Sequence, residues 1–315
     1  MDRLARRNPG SEEAAVTSDP HSNPSLRQDT HTMTQSLSAL ANTQYVQTTN
    51  ARFAYRRFGI GSGVPLVLAL RFRGTMDHWD PAFLDRLAAD RDVIIFDNIG
   101  HAKTDGVAPT TMDALAGGLV EFVEGLGLAE VDLLGWSLGG IVVQAAVLQR
   151  PDLVRRLIVA GSSPGGGVPG MPQPDPRIWQ VATKPVNDDD DFLYLFFPDG
   201  AEAHQLGVQS LRRLDARTRE ADHVPVSLET MQAQLAVIAS TGSRVWDRLG
   251  EVSIPVLVAN GAHDRMIDAY ASYAMAGRLP SAKVVLYSDA GHGFLFQHIE
   301  DFTREVLEFL AADRW

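Results

Sequence analysis

Leu133-Leu134-Gly135-Trp136-Ser137-Leu138-Gly139-Gly140 is the stretch on which the reading of this chain turns. The apolar run Val131–Leu134 before it predicts a buried strand. The sequence from the Ser137 region to Arg150, closed by Pro151, predicts a helix. Between them the pattern Gly-x-Ser-x-Gly sets Ser137 on a sharp strand-to-helix turn, where small residues two before and two after avoid clashes as the backbone doubles back. The plainer alternative is an ordinary strand-to-helix turn in which Ser137 only caps the helix.

On either side of this stretch the same alternation of short apolar runs and helical stretches continues. Tyr45–Thr48 and Arg52–Phe58 read as a leading pair of strands. Pro65–Leu70, Val93–Phe96, Val131–Leu134 and Leu157–Ala160 are near-continuously apolar, as strands covered on both faces are. Val256–Asn260 and Val284–Tyr287 complete a mostly parallel eight-stranded sheet flanked by helices, an α/β architecture. Leu115, Leu119, Phe122, Val123 and Leu126 recur at helical spacing, with Thr110 or Thr111 to cap and Gly127 to stop. Further helices are expected at Ala269–Arg278 and Ile299–Ala311.

The rhythm breaks between 162 and 252, which opens on the Gly/Pro-rich stretch Pro164–Pro176 and carries Trp179, Phe192, Tyr194, Phe196 and Phe197 but no strong strand. It is expected to be a helical cap inserted into a core formed by residues 43–161 and 253–315. Residues 1–42, rich in Ser, Asn, Asp, Thr and Pro, are expected to be a disordered tail, with Met33 offering an internal start. Asp188–Asp191 reads as a solvated helix start rather than a calcium loop, because the Gly-containing spacing of an EF-hand is missing.

Composition narrows the function. A net charge of −11 and a pI near 5.2 disfavour nucleic acid or an anionic membrane as partner, since either needs a basic patch. Cysteine is absent, which removes thiolate catalysis, disulfides and cysteine-held metals. Arg3, Arg6 and Arg7 are followed by Asn8-Pro9-Gly10-Ser11 rather than an apolar core, so the N-terminus does not read as a secretory signal, and no apolar run approaches the roughly 20 residues of a membrane span. A cytoplasmic protein acting on a small molecule is expected, with no cofactor or metal implied. A homodimer is compatible with the sequence.

A serine hydroxyl needs a base within reach, itself oriented by a carboxylate. Asp264 lies in Gly261-Ala262-His263-Asp264-Arg265, just past a strand, where open α/β sheets hold active-site groups. Asp268, where the next helix should begin, is more economically an N-cap. His292 lies in Asp289-Ala290-Gly291-His292-Gly293-Phe294, between glycines on a post-strand loop, and follows Ser137 and Asp264 in chain order. His263 and His298 lack that combination.

These segments make the chain resemble the α/β-hydrolase superfamily, in the branch similar to cofactor-free haloperoxidases and small carboxylesterases, from about Tyr45 to Leu310. Phe96-Asp97-Asn98-Ile99-Gly100-His101-Ala102-Lys103-Thr104 resembles that family's D-x-R-G-x-G-x-S loop, with Ile99 and Ala102 departing from it. Where the family carries His-Gly before its oxyanion donor, this chain has Leu70-Arg71-Phe72-Arg73-Gly74. The resemblance implies a Ser137, Asp264, His292 triad and an oxyanion hole from the backbone N–H groups of Phe72 and Leu138. Arg71, Trp136 and Phe294 are expected to meet substrate. For Arg71 and Arg73 the alternative is pairing with Asp77, Asp80 or solvent outside the pocket.

A serine at the nucleophile position argues against dehalogenase and epoxide-hydrolase chemistry, where the resembling families place an aspartate. The first expectation is hydrolysis of a small, apolar, ester-like substrate. A lactonase, a carbon–carbon hydrolase and a perhydrolase or haloperoxidase would use the same triad. A binding protein of slow turnover, like some hormone receptors that resemble the superfamily, is the reading of another class.

Overall fold

The computed structural model describes residues 36–220, 222–240 and 245–312. Eight strands form one sheet: β1 (Gln44–Gln47), β2 (Arg52–Phe58), β3 (Leu66–Ala69), β4 (Val93–Phe96), β5 (Val131–Trp136), β6 (Val154–Ala160), β7 (Val256–Gly261) and β8 (Ala282–Tyr287). Their order is β1-β2-β4-β3-β5-β6-β7-β8, antiparallel at β1/β2 and β2/β4 and parallel elsewhere.

The continuous apolar runs divide by alternation between two cores, since successive side chains leave a strand on opposite faces. Val67, Ile94, Leu133, Leu157 and Val258 pack under the Met112–Gly125 and Leu138–Gln149 helices. Leu66, Leu68, Ile95, Leu134, Ile158 and Leu257 pack against the Pro81–Ala88 and Ile299–Ala311 helices, with Phe83, Phe302 and Phe309 at the centre. Both faces are covered, which is why these strands lack a polar face. Thr111 caps its helix as expected, its Oγ1 accepting the N–H of Ala114 at 3.3 Å.

Between the neighbouring strands β6 and β7 the chain runs through helices at Pro176–Ala182, Asp189–Phe196, Ala201–Thr218, Leu228–Ala239 and Val245–Arg248. The last of these is not a cover: Val245 and Trp246 are buried in the core beneath the sheet. Asp188 caps the Asp189–Phe196 helix, accepting the N–H of Asp191 at 2.9 Å. The Ala201–Thr218 helix is tied to the core at fully buried Asp80, which receives Arg213 at 2.7 Å and Ser210 at 2.8 Å.

The tail expectation needs correction at its end, while residues 1–35 lie outside the described residues. Leu37–Leu40 form one helical turn capped by Ser36, with the N–H of Ser38 donated to Asp85 at 2.8 Å and Leu37 and Ala41 packed on the second core. Composition alone missed it because two apolar contacts and one backbone bond suffice to seat so short a piece.

Candidate active site

β5 ends at Trp136 and the next helix begins at Leu138, so Ser137 makes the whole turn alone, at φ 59° and ψ −123°. Such backbone costs a non-glycine residue about 1–3 kcal/mol and persists only where its surroundings impose it. Here the Ser137 N–H donates to the Ala160 carbonyl at 3.0 Å, and Ser162 Oγ donates to the Ser137 carbonyl at 2.6 Å. Both motif glycines are sterically required. A Cβ on Gly139 would stand 2.1 Å from the Ala69 carbonyl oxygen, and one on Gly135 2.3 Å from that of Gly139.

Asp264 lies on the loop after β7 and His292 on the loop after β8. Asp264 Oδ1 accepts the N–H groups of Met266 and Ile267 at 2.8 and 2.9 Å, which turns Oδ2 to His292 Nδ1 at 2.7 Å. Both side chains are wholly buried. With Nδ1–H committed to the carboxylate, the lone pair is left on Nε2, and Nε2 is buried without a hydrogen-bond partner. A Cβ on Gly161 would lie 3.5 Å from His292 Nδ1. The imidazole therefore stands at the end of β6, one residue from the carbonyl that holds the Ser137 N–H. Ser137 faces two cavities. An unengaged Nε2 suits a resting enzyme, because catalytic hydrogen bonds often tighten only with substrate.

The competing side chains are engaged elsewhere. Asp268 accepts the N–H of Tyr270 at 2.8 Å, and His298 Nε2 sits 2.9 Å from Asp289. Phe72 and Leu138 line the same cavity as Ser137, and neither backbone N–H donates to a backbone carbonyl or a side chain among the described residues. Two free N–H groups beside a serine hydroxyl are the arrangement a developing oxyanion would need.

Two expected substrate contacts are corrected. Trp136 is fully buried, on the second core, and its Nε1 donates to the His292 carbonyl at 3.0 Å. Its register in β5 points the ring away from the helix that follows Ser137, so it supports the histidine loop from below. Phe294 is also fully buried, stacked on Tyr287 with ring centroids 5.4 Å apart. The turn Phe294–Gln297 carries it into the core. The glycines beside His292 serve the packing of the loop. The Gly293 N–H donates to the Phe196 carbonyl at 2.6 Å, and a Cβ on Gly291 would lie 2.9 Å from that oxygen, so they admit the neighbouring helix end.

Sequence reading missed Phe196, whose ring stacks on His292 at 5.6 Å, and the apolar cavity of about 210 Å³ lined by Met112, Ile141, Ile178, Val237, Ile238 and Met266. No local signal could reveal these, since each comes from a different segment.

The Phe96–Thr104 loop holds the segment that follows Phe72. Asp97 accepts the N–H of Met76 at 2.8 Å and of Lys103 at 3.2 Å, while burial pushes its carboxyl up to about 6. A carboxyl raised on folding keeps its proton longer in the native chain than in the unfolded one. Its contribution is therefore present at pH 4 and lost as pH rises through about 6. Relative to Asp97→Asn, the wild type is expected to lose about 2 kcal/mol between pH 4 and pH 7 in denaturant titrations. Parallel pH profiles would refute this.

The family model described as the alpha/beta hydrolase fold matches residues 72–299, and the chain belongs to that family. It is 28% identical over 230 residues to 2-hydroxy-6-oxononadienedioate/2-hydroxy-6-oxononatrienedioate hydrolase 2 of Pseudomonas putida, covering 71% of this chain and 78% of the relative. Among solved structures it is similar to an alpha/beta hydrolase fold protein from Chitinophaga pinensis, at 32% identity and a TM-score of 0.77, over 87% of this chain and 99% of that one. The enol-lactonase of Burkholderia xenovorans LB400, at 20% identity and a TM-score of 0.69 over 85% of this chain and 100% of that one, shares the fold. The chain is thus a hydrolase of that fold, and no described helix is long and apolar enough to cross a membrane.

Proposed function

We propose that this chain hydrolyses a small, largely apolar ester-like substrate through an acyl-enzyme on Ser137. The observation that carries the reading is the strained Ser137 elbow at the same end of the sheet as the buried Asp264–His292 pair, opening on an apolar cavity. Ser137 Oγ attacks the carbonyl carbon while His292 Nε2 takes its proton, and Asp264 stabilises the imidazolium through Nδ1–H. The N–H groups of Phe72 and Leu138 receive the oxyanion; losing one such donor typically costs about a hundred- to a thousandfold in rate. His292 returns the proton to the leaving group, and water then attacks the acyl carbon with His292 again as base.

The relatives support a second reading, cleavage of a carbon–carbon bond beside a ketone, because they are named for hydrolysis of oxo-dienedioates. The same residues would serve, with a carbanion as the leaving group.

Steady-state turnover of 4-nitrophenyl esters from acetate to octanoate, beside a 2-hydroxy-6-oxo-dienoic acid, separates the two. Sustained ester turnover with kcat/KM rising along the aliphatic series supports the ester reading. Turnover confined to the keto acid replaces it with the second, and release of nitrophenolate unaffected by loss of Ser137 contradicts both.

A further inference from the structure

Arg71 occupies the position where the resembling family has the glycine of its His-Gly pair, and it enters the site. It lines a cavity together with Ser137, Phe192 and Phe196. Its guanidinium lies over the Phe196 ring at 5.0 Å, and its Nη1 donates to the Phe72 carbonyl at 2.9 Å. Nε is buried and has no partner, and no carboxylate forms a salt bridge with Arg71 among the described residues. The acids that could have paired with it are taken: Asp77 by Arg56 at 2.6 Å and His223 at 3.0 Å, Asp80 by Arg213 at 2.7 Å.

Arg73, in the same cavity wall, is likewise without an acid. It donates to the carbonyls of Ala182, Lys184 and Pro185 and to Asn187 Oδ1, at 2.6–3.0 Å, and so latches the segment that follows the Pro176–Ala182 helix. Two guanidinium groups without a carboxylate partner among the described residues, of which only Arg73 is saturated by neutral acceptors, thus line a cavity with Ser137 in a chain with 39 acidic and 28 basic side chains. Burial, with Arg73 adding to it, lowers the Arg71 pKa to about 10, so the charge persists at neutral pH. A half-buried cation whose Nε is shut off from water without a partner is costly unless a ligand supplies a counter-charge.

We infer that Arg71 is a specificity residue that binds a carboxylate carried by the acyl part of the substrate, so that this hydrolase prefers half-esters of dicarboxylic acids, or acids of that shape, to neutral esters. The inference rests on the serine-hydrolase reading. The apolar cavity and the Arg71 cavity both open on Ser137, so a chain with an acyl carbonyl at the serine can present its far carboxylate to the guanidinium. Arg71 also supports the Phe72 peptide, and a purely structural role there would slow all esters alike.

The test compares kcat/KM for mono-4-nitrophenyl adipate and 4-nitrophenyl hexanoate, which differ at one end of the acyl chain, in wild type, Arg71→Gln and Arg71→Lys, with thermal melts to confirm folding. The ratio of adipate to hexanoate is expected to exceed unity in wild type and to fall roughly tenfold to a hundredfold in Arg71→Gln, the loss of one charge-assisted contact. Arg71→Lys should recover part of the ratio. A ratio unchanged by Arg71→Gln overturns the inference while leaving the serine hydrolase intact. Should neither ester turn over, or the variants melt early, calorimetric binding of adipate to the wild type decides: binding that weakens as adipate is replaced by hexanoamide supports the inference, and no difference overturns it. Failure of the hydrolase reading shows separately, as nitrophenolate release that survives loss of Ser137.

Discussion

Ser137→Ala is expected to lower kcat on the best ester by about a millionfold, the loss seen when the nucleophile of a serine triad is removed. Ser162 Oγ is committed to the Ser137 carbonyl at 2.6 Å and holds the turn rather than offering a substitute nucleophile. The substitution keeps a Cβ at a positive-φ position and removes one oxygen that faces a cavity, so stability should change by less than about 1 kcal/mol. An inactive, normally melting variant therefore isolates the chemistry from the fold. Residual activity within about a hundredfold of wild type would mean that Ser137 is not the nucleophile.

Asp264→Asn is expected to cost about ten-thousandfold in kcat, and hydrogen bonding gives the reason. Oδ1 of Asp264 accepts from both Met266 and Ile267. An asparagine must keep its carbonyl there, which turns its NH₂ toward His292 Nδ1. The imidazole then has to present a lone pair at Nδ1 and carry its proton on Nε2, so it cannot accept the Ser137 proton. Geometry is preserved and the base is lost. Steady-state kinetics with NMR of the imidazole N–H checks both: a rate within about tenfold of wild type, or an Nδ1 proton still present, would show that Asp264 does not set the tautomer.

How much of this was legible in the sequence follows from how local each feature is. The elbow was legible because its constraint is local: Gly135 and Gly139 are required by contacts within the turn and with β3. Asp264 and His292 could be found because chain order and post-strand loops are properties of the sequence. The strand limits Val93–Phe96 coincide with the apolar run, since burial on both faces leaves no polar residue to blur them. Orientation was not legible. Trp136 and Phe294 are next to or near Ser137 and His292 in sequence, yet the pleat of β5 and the turn after Gly293 send both rings into the core. Nor was the state of Arg71, because it depends on which distant cations, Arg56 and Arg213, had already taken Asp77 and Asp80.

A covalent acyl group on Ser137 is caught by acid-quenching the enzyme during turnover of a 4-nitrophenyl ester and mapping the acyl mass by peptide sequencing. One acyl group per chain is expected, on the peptide containing Gly135-Trp136-Ser137, absent from Ser137→Ala and accumulating in Asp264→Asn only slowly. An acyl group on another residue, or sustained turnover with no acylated peptide at any quench time, would contradict it.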